Sequence, residues 1–519
     1  MYGLHFLGWQ PTISGMRETH SVHESGGKGS VVTVQTHLSN GLPTIQLIGA
    51  AGKSLDESKD RIRSAFSSCD ITLPRKKIVI NIAPSDIPKN GAHHDLAIAV
   101  SILGESKQIR SIREKTIFLG ELGLDGAIQP IRGILGKILI AKKAGYTHFV
   151  IPRKNEAQAT LIPDIYLASF KNLRDLFLQL QEGSVAYNGT DGGSSIETQP
   201  SSSEIDFSDV IGQDIAKRAL EIAAAGQHNV ILSGPPGVGK SMLAKALIGI
   251  LPPLSRDDLI TITHLHSLVG DNSSTLMSSR PIRMPHHSSS NVAIVGGGTQ
   301  PKPGEITLSH TGVLFLDELP EFNRSTIESL RQPLEDKKVT VSRAKDTMTY
   351  PADFILVATK NPCPCGHYGS SKPCVCAPLE IDRYQKKLSG PLLDRIDLHV
   401  TVDSIDHRNL LKQKTHSTSP SSKEIQGRVI DVVKTQTERF KTPSGRNGSM
   451  SNKDVKKHAQ LSDKAKQLLD NAAHKLNLSA RVYMKTVKVA RTIADLDGSE
   501  MIEEKHISEA LQYRPVEQK

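Results

Sequence analysis

Gly234-Pro235-Pro236-Gly237-Val238-Gly239-Lys240-Ser241 limits the fold of this chain more than any other stretch. It fits G-x-x-x-x-G-K-[ST], follows the apolar run 230–232 and precedes the helix-like segment 242–248, the strand–loop–helix context that the pattern requires. The glycines let backbone N–H groups close around phosphates at a helix N-terminus. Lys240 then neutralises the β and γ phosphates, and the Ser241 hydroxyl is placed to ligate Mg²⁺. ATP and Mg²⁺ are the expected ligands, and a parallel α/β sheet the expected scaffold.

Farther along, the apolar run 313–316 ends in Asp317-Glu318, which puts two carboxylates at the carboxyl edge of such a sheet beside the phosphate loop. Asp317 is expected to hold magnesium through water, and Glu318 to activate the attacking water, so the pattern predicts hydrolysis rather than binding alone. A further apolar run at 354–358 leads to Asn361, a polar side chain placed to orient that water.

The phosphate loop accounts for only part of the chain. At 519 residues it exceeds what one hydrophobic core supports, and two to four domains are expected. Residues 187–207 are rich in Gly, Ser and Thr and read as a flexible linker. Before it, strand-like stretches at 30–48 and 77–82 and helical spacing at 56–66 and 134–144 predict an α+β domain over 1–186. Residues 208–402 form the nucleotide-binding core. Beyond the Ser-rich stretch 412–423, helical periodicity at 465–476 and 480–496 makes 403–519 a helical lid.

Hydrophobic residues at 37% and charged residues at 23%, with no run approaching about 18–20 apolar residues, exclude an integral membrane protein. The first twenty residues lack the parts of a secretory signal, so a cytoplasmic location is expected. The net charge of +10 is compatible with a polyanionic partner. Residues 401–519 hold 22 lysines and arginines against 15 acids, so a nucleic-acid surface should involve that end.

Cys363, Cys365, Cys374 and Cys376 sit close together in a loop with Gly366, Gly369, Pro373 and Pro378. Four thiolates so placed suit a closed tetrahedral Zn²⁺ site, though C-x-C is tighter than the C-x-x-C of common zinc ribbons. Four reduced thiols or an iron–sulfur cluster are the other readings. His367 and the pair His286-His287 read as surface or hydrogen-bonded residues, and Cys69 as a small buried one.

The strings RPIRMPHH (280–287), VGGGTQPKPGEITLSHTGVLFLDELPEF (295–322), NPCPCG (361–366), SGPLLDRIDLHV (389–400) and LSARVYMKTVKVARTIADLDGSE (478–500) resemble the ComM/YifB family of magnesium-chelatase-like AAA+ ATPases over nearly the whole chain. The resemblance implies that Asn361 is the first sensor, Arg395 the arginine finger and Arg481 the second sensor. Taken singly, either arginine reads as a surface ion-pair residue. An arginine finger acts on a neighbour's γ-phosphate, so the set implies a ring, expected to be a hexamer. Residues 339–343 resemble the hairpin before the first sensor, making Arg343 and Lys345 candidates for DNA contact, with a solvated hairpin face the alternative.

Residues 79–100 and 118–146 resemble the Lon-protease-like (ribosomal S5 domain 2-like) domain of the same family. Aligned with the Lon motifs, His93 stands where the serine nucleophile belongs and Leu135 where the lysine base belongs. The domain is therefore expected to be proteolytically inactive, serving assembly or substrate contact. Three stretches depart from the family pattern: the turn at 48–58, Lys360 beside Asn361, and the first twenty-odd residues.

The resemblance implies an ATP-driven ring that translocates on single-stranded or branched DNA, with helicase-like branch migration helping incoming DNA recombine during natural transformation alongside recombination proteins. A motor subunit of a magnesium chelatase is the alternative enzyme reading, against which the Lon-like domain and the cysteine loop argue. An ATP-switched protein-remodelling or scaffold ATPase is the third.

Overall fold

The computed structural model describes residues 18–25, 28–49, 53–84, 91–110, 112–190, 205–269, 276–298, 302–342, 347–370, 372–403 and 420–515. Most of the stretch read as linker (191–204), much of the Ser-rich stretch (412–419), and Arg343 and Lys345 lie outside the described residues. The chain divides into two compact units, Met1–Ile196 with Thr263–Leu276, and Glu197–Ile262 with Met277–Lys519.

The first unit is α+β. Its sheet has eight strands, ordered Asn188–Gly189, Tyr166–Phe170, His148–Pro152, Thr116–Phe118, Glu18–Ser25, Lys28–Ser39, Lys77–Ala83 and Thr44–Ile48. Period-2 alternation in Lys77–Ala83 sends Ile78, Ile80 and Ile82 into the core, where they meet Ile62, Phe66 and the apolar helix Asp95–Glu105. The last strand, Asn188–Gly189, falls inside the stretch read as linker.

In the second unit, five parallel strands run in the order Ile282–Arg283, Val313–Leu316, Ile355–Lys360, Val230–Ser233 and Leu398–Thr401. Val313–Leu316 is buried at every position, the composition expected of a parallel strand covered on both faces. Leu316 pairs with Ala358 and Ser233 with Lys360, so the ends of three strands come level at one edge of the sheet.

Helices follow: Ser422–Phe440, Asn452–His458, Asp463–Lys475, Ala480–Leu496 and Glu504–Gln512. The first four begin where a serine accepts a hydrogen bond from an amide three residues on: Ser421, Ser451, Ser462 and Ser479. Their apolar faces share one core with the sheet and with helix Asp214–Gly226. Within these helices Asp495, 1% exposed, takes both Arg491 (2.8 Å) and Arg439 (2.6 Å). Arg491 also donates to the carbonyls of Ser499 and Glu500.

Asp495→Ala leaves two guanidinium groups without their buried counter-charge and is expected to destabilise the second unit by about 3–5 kcal/mol. Urea unfolding followed by a probe in that unit checks this, and a shift under about 1 kcal/mol would mean the arginines find water instead. No helix among the described residues is long and apolar enough to cross a membrane.

Candidate nucleotide-binding site

Strand Val230–Ser233 delivers the chain to the loop, and helix Lys240–Ala246 leaves it. Gly237 and Gly239 have φ of 82° and 91°, the left-handed region where a Cβ is strained, so the loop can turn its amides inward. A Cβ on Gly234 would overlap the Val402 carbonyl. Lys240 is 8% exposed, and its ammonium bonds the carbonyls of Gly234 and Pro235 (3.0 Å) and Asn361 Oδ1 (2.9 Å). Burial lowers its pKa from the ordinary lysine value, while the charges of Asp317 and Glu318 oppose that shift.

The carboxylates and Asn361 converge on the same lysine. Ser241 Oγ donates to Asp317 Oδ2 at 3.2 Å, the juxtaposition a shared magnesium ion needs. Asn361 Nδ2 lies 3.5 Å from Glu318 Oε1. Glu318 has φ 53°, a left-handed turn that ends the strand. The structure thus brings together Lys240, Ser241, Asp317, Glu318 and Asn361.

Thr359 completes this group and escaped the sequence reading. Its hydroxyl donates to Asp317 Oδ1 (2.6 Å) and accepts from the Glu318 amide (2.8 Å), fixing both acids. The available signal was a hydroxyl directly after the apolar run 355–358. Lys360, the departure beside Asn361, contributes through its main chain, since its carbonyl accepts from the Gly234 amide at 3.2 Å. Its ammonium is partly buried, which lowers its pKa.

Arg395 and Arg481 form a second cluster. Both donate to Glu335, Arg481 at 2.9 Å, and Arg395 also donates to the Pro391 carbonyl at 2.7 Å.

The four loop cysteines gather into one group whose sulfurs all lie within 4.8 Å of one another and which contains no histidine. Cys363 lies 3.4 Å from Cys365 and 3.7 Å from Cys374, and Cys365 lies 3.6 Å from Cys374. Zn–S bonds of about 2.3 Å in a tetrahedron put sulfurs somewhat under 4 Å apart, so the donor set fits. Gly366, with φ 81°, lies against the phosphate loop, where an added Cβ would stand 2.6 Å from Pro236 Cδ.

In the first unit, His93 Nε2 lies 2.9 Å from the Val22 carbonyl and Leu135 is wholly buried. Lys137, two residues on, contacts Glu24 (3.4 Å) and the Arg132 carbonyl (2.9 Å). Cys69 is buried.

The family model described as magnesium chelatase, subunit ChlI, matches residues 206–410. Those described as subunit ChlI of Mg-chelatase and as subunit ChlI C-terminal match 34–155 and 419–514. Competence protein ComM of Haemophilus influenzae is 41% identical over 494 residues, spanning 94% of this chain and 95% of its own. Uncharacterized protein YifB of Salmonella typhimurium is 39% identical over 503 residues, 96% of this chain and 97% of its own. Lon protease 2 of Bacillus subtilis is 30% identical over 148 residues, 27% of this chain and 26% of its own. With its Lon-like α+β unit, phosphate-loop sheet and C-terminal helices, the chain belongs to the magnesium-chelatase ChlI-type family of AAA+ proteins that includes ComM and YifB.

Proposed function

We propose that this protein is an ATP-hydrolysing motor that works as a hexameric ring on DNA in the cytoplasm, driving branch migration so that incoming DNA recombines during natural transformation. The observation that carries hydrolysis is the place of Asn361 between the phosphate-loop lysine (2.9 Å) and the Glu318 carboxylate (3.5 Å). Lys240 binds the β and γ phosphates, exchanging its carbonyl partners for phosphate oxygens. Asn361 orients the attacking water, and Glu318 takes its proton. Ser241 and Asp317 would hold magnesium, which would supply charge neutralisation for the phosphates. Arg395 and Arg481, gathered on Glu335, serve the γ-phosphate of a neighbouring subunit.

DNA as the substrate is supported by the likeness to a competence protein over 94% of the chain and by the net charge of +10. Zinc held by Cys363, Cys365, Cys374 and Cys376 would have a structural role, since four thiolates leave no open position. In the Lon-like unit the residue aligned with the base is the buried, apolar Leu135, and the lysine after it is engaged by Glu24, which supports a domain without peptidase chemistry.

The test is the steady-state ATPase rate without DNA, with single strands and with a four-way junction, over a salt series. The expected result is several-fold stimulation that declines as salt rises, because phosphate contacts release counterions. A rate indifferent to every DNA would overturn the DNA reading and direct the search to a chelatase or a protein-remodelling partner.

A further inference from the structure

Glu335 sits in the short helix Arg331–Asp336, half exposed, with its two carboxylate oxygens divided between two arginines. Oε2 accepts from Arg395 Nη2 and Oε1 from Arg481 Nη2. These partners come from separate parts of the second unit. Arg395 follows the short helix Gly390–Leu393 and is steadied by the Pro391 carbonyl. Arg481 lies in the first turn of helix Ala480–Leu496, which Ser479 caps. One turn on, Lys485 pairs with Asp397 at 3.0 Å, a second tie between that helix and the segment carrying Arg395.

Two guanidinium groups brought this close repel each other, and each long side chain loses rotamer freedom when fixed. A carboxylate between them offsets the repulsion and fixes both in advance. The two arginines also hold the Glu335 carboxyl below its ordinary pKa, the hydrogen bond from Arg395 being the largest cause. With one negative charge against two positive ones, the triad keeps a net charge of +1 toward an arriving anion.

We infer that Glu335 is a positioning residue that organises Arg395 and Arg481 into a single receptor for the γ-phosphate of a neighbouring subunit. The inference rests on the reading of these arginines given above. Glu335 itself does not meet the nucleotide. It sets the separation and orientation of two cations that do, so that little reorganisation remains when the neighbour's ATP arrives.

The experiment compares Glu335→Gln, Glu335→Asp, Arg395→Ala and Arg481→Ala by kcat, KM for ATP and thermal midpoint, and adds a mixing assay. Glu335→Gln keeps size and one acceptor but loses the charge. It is expected to lower kcat by about 10- to 100-fold, the scale of a misplaced catalytic group, with KM and thermal midpoint near wild type because the subunit's own phosphate loop is untouched. Glu335→Asp should restore part of the rate. Glu335→Gln subunits, competent at their own site, are then mixed with Glu318→Gln subunits, whose arginines remain organised. Activity above that of either variant alone is expected, since a Glu335→Gln site would face intact arginines across the interface.

Large losses in both arginine variants with a wild-type rate in Glu335→Gln would overturn the role of Glu335 alone. Wild-type rates in Arg395→Ala and Arg481→Ala would overturn the arginine reading itself. A slow Glu335→Gln whose loss is matched by a fall in thermal midpoint, with no recovery on mixing, would make Glu335 merely structural.

Discussion

Glu318→Gln is expected to lower kcat for ATP hydrolysis by about 10²–10⁴-fold, the usual contribution of a general base, while ATP binds as tightly as before. The amide keeps the shape of the side chain and its contact with Asn361 Nδ2, but it cannot accept the proton of the attacking water. None of the hydrogen bonds that position Lys240 and Ser241 uses that carboxylate, so the groups expected to hold the phosphates keep their places. Lys240 reaches the Gly234 and Pro235 carbonyls and Asn361, and Ser241 meets Asp317. The backbone at residue 318 is set by the Thr359 hydroxyl on its amide, which the substitution leaves alone. Phosphate release and the affinity for a fluorescent ATP analogue separate the two effects. A rate within about tenfold of wild type would move the base elsewhere, because removing an essential base costs more than that.

What the sequence revealed of this site follows from how far apart in the chain its parts lie. The phosphate loop is a local object: its glycines, lysine and serine are adjacent, and the runs on either side state their own conformation. The strand Val313–Leu316 with its two acids, and the cysteines of one loop, are local in the same sense. The elements read as helices at 134–144, 465–476 and 480–496 appear as Ile134–Lys143, Asp463–Lys475 and Ala480–Leu496, because an amphipathic period is written in consecutive residues.

Strand register is not written that way. Thr359 stands beside Asp317 because Leu316 pairs with Ala358, and nothing near either residue announces that pairing. Glu335 is 60 residues from Arg395 and 146 from Arg481, so its role emerges only once the C-terminal helices have packed. The first unit shows the same limit. Its central strands Glu18–Ser25 and Thr116–Phe118 are sheet neighbours separated by three other strands in sequence, an order that alternation alone does not fix. Thr263–Leu276 belongs to that unit although it follows the phosphate loop in the chain, and its composition gives no sign of it.

Cys363→Ser is expected to abolish zinc binding by the four thiolates proposed as its ligands and to remove most of the ATPase activity, because Gly366 of the cysteine loop lies against Pro236 of the phosphate loop. Cys363 is wholly buried and lies two residues beyond Asn361. Between them, the Pro362 carbonyl accepts from Gln385 at 3.3 Å. The Cys363 carbonyl accepts from the Gly366 amide at 3.0 Å, and that glycine rests on Pro236 of the phosphate loop. A structural zinc contributes about 10–16 kcal/mol to the folding of a small metal module, so losing one thiolate should release the loop and, with it, the setting of Asn361 and Pro236. Elemental analysis should find about one zinc per wild-type chain and almost none in the variant, as expected when a four-thiolate site loses a ligand. ATP affinity and kcat should fall by about tenfold or more, the consequence of an ångström-scale displacement near reacting groups. Stripping the wild-type protein with a strong chelator should reproduce the loss, and adding Zn²⁺ back should reverse it. A metal-free wild-type protein, or a variant with full activity and affinity, would show that the four cysteines pack as reduced thiols and that Asn361 keeps its place on Lys240 without them.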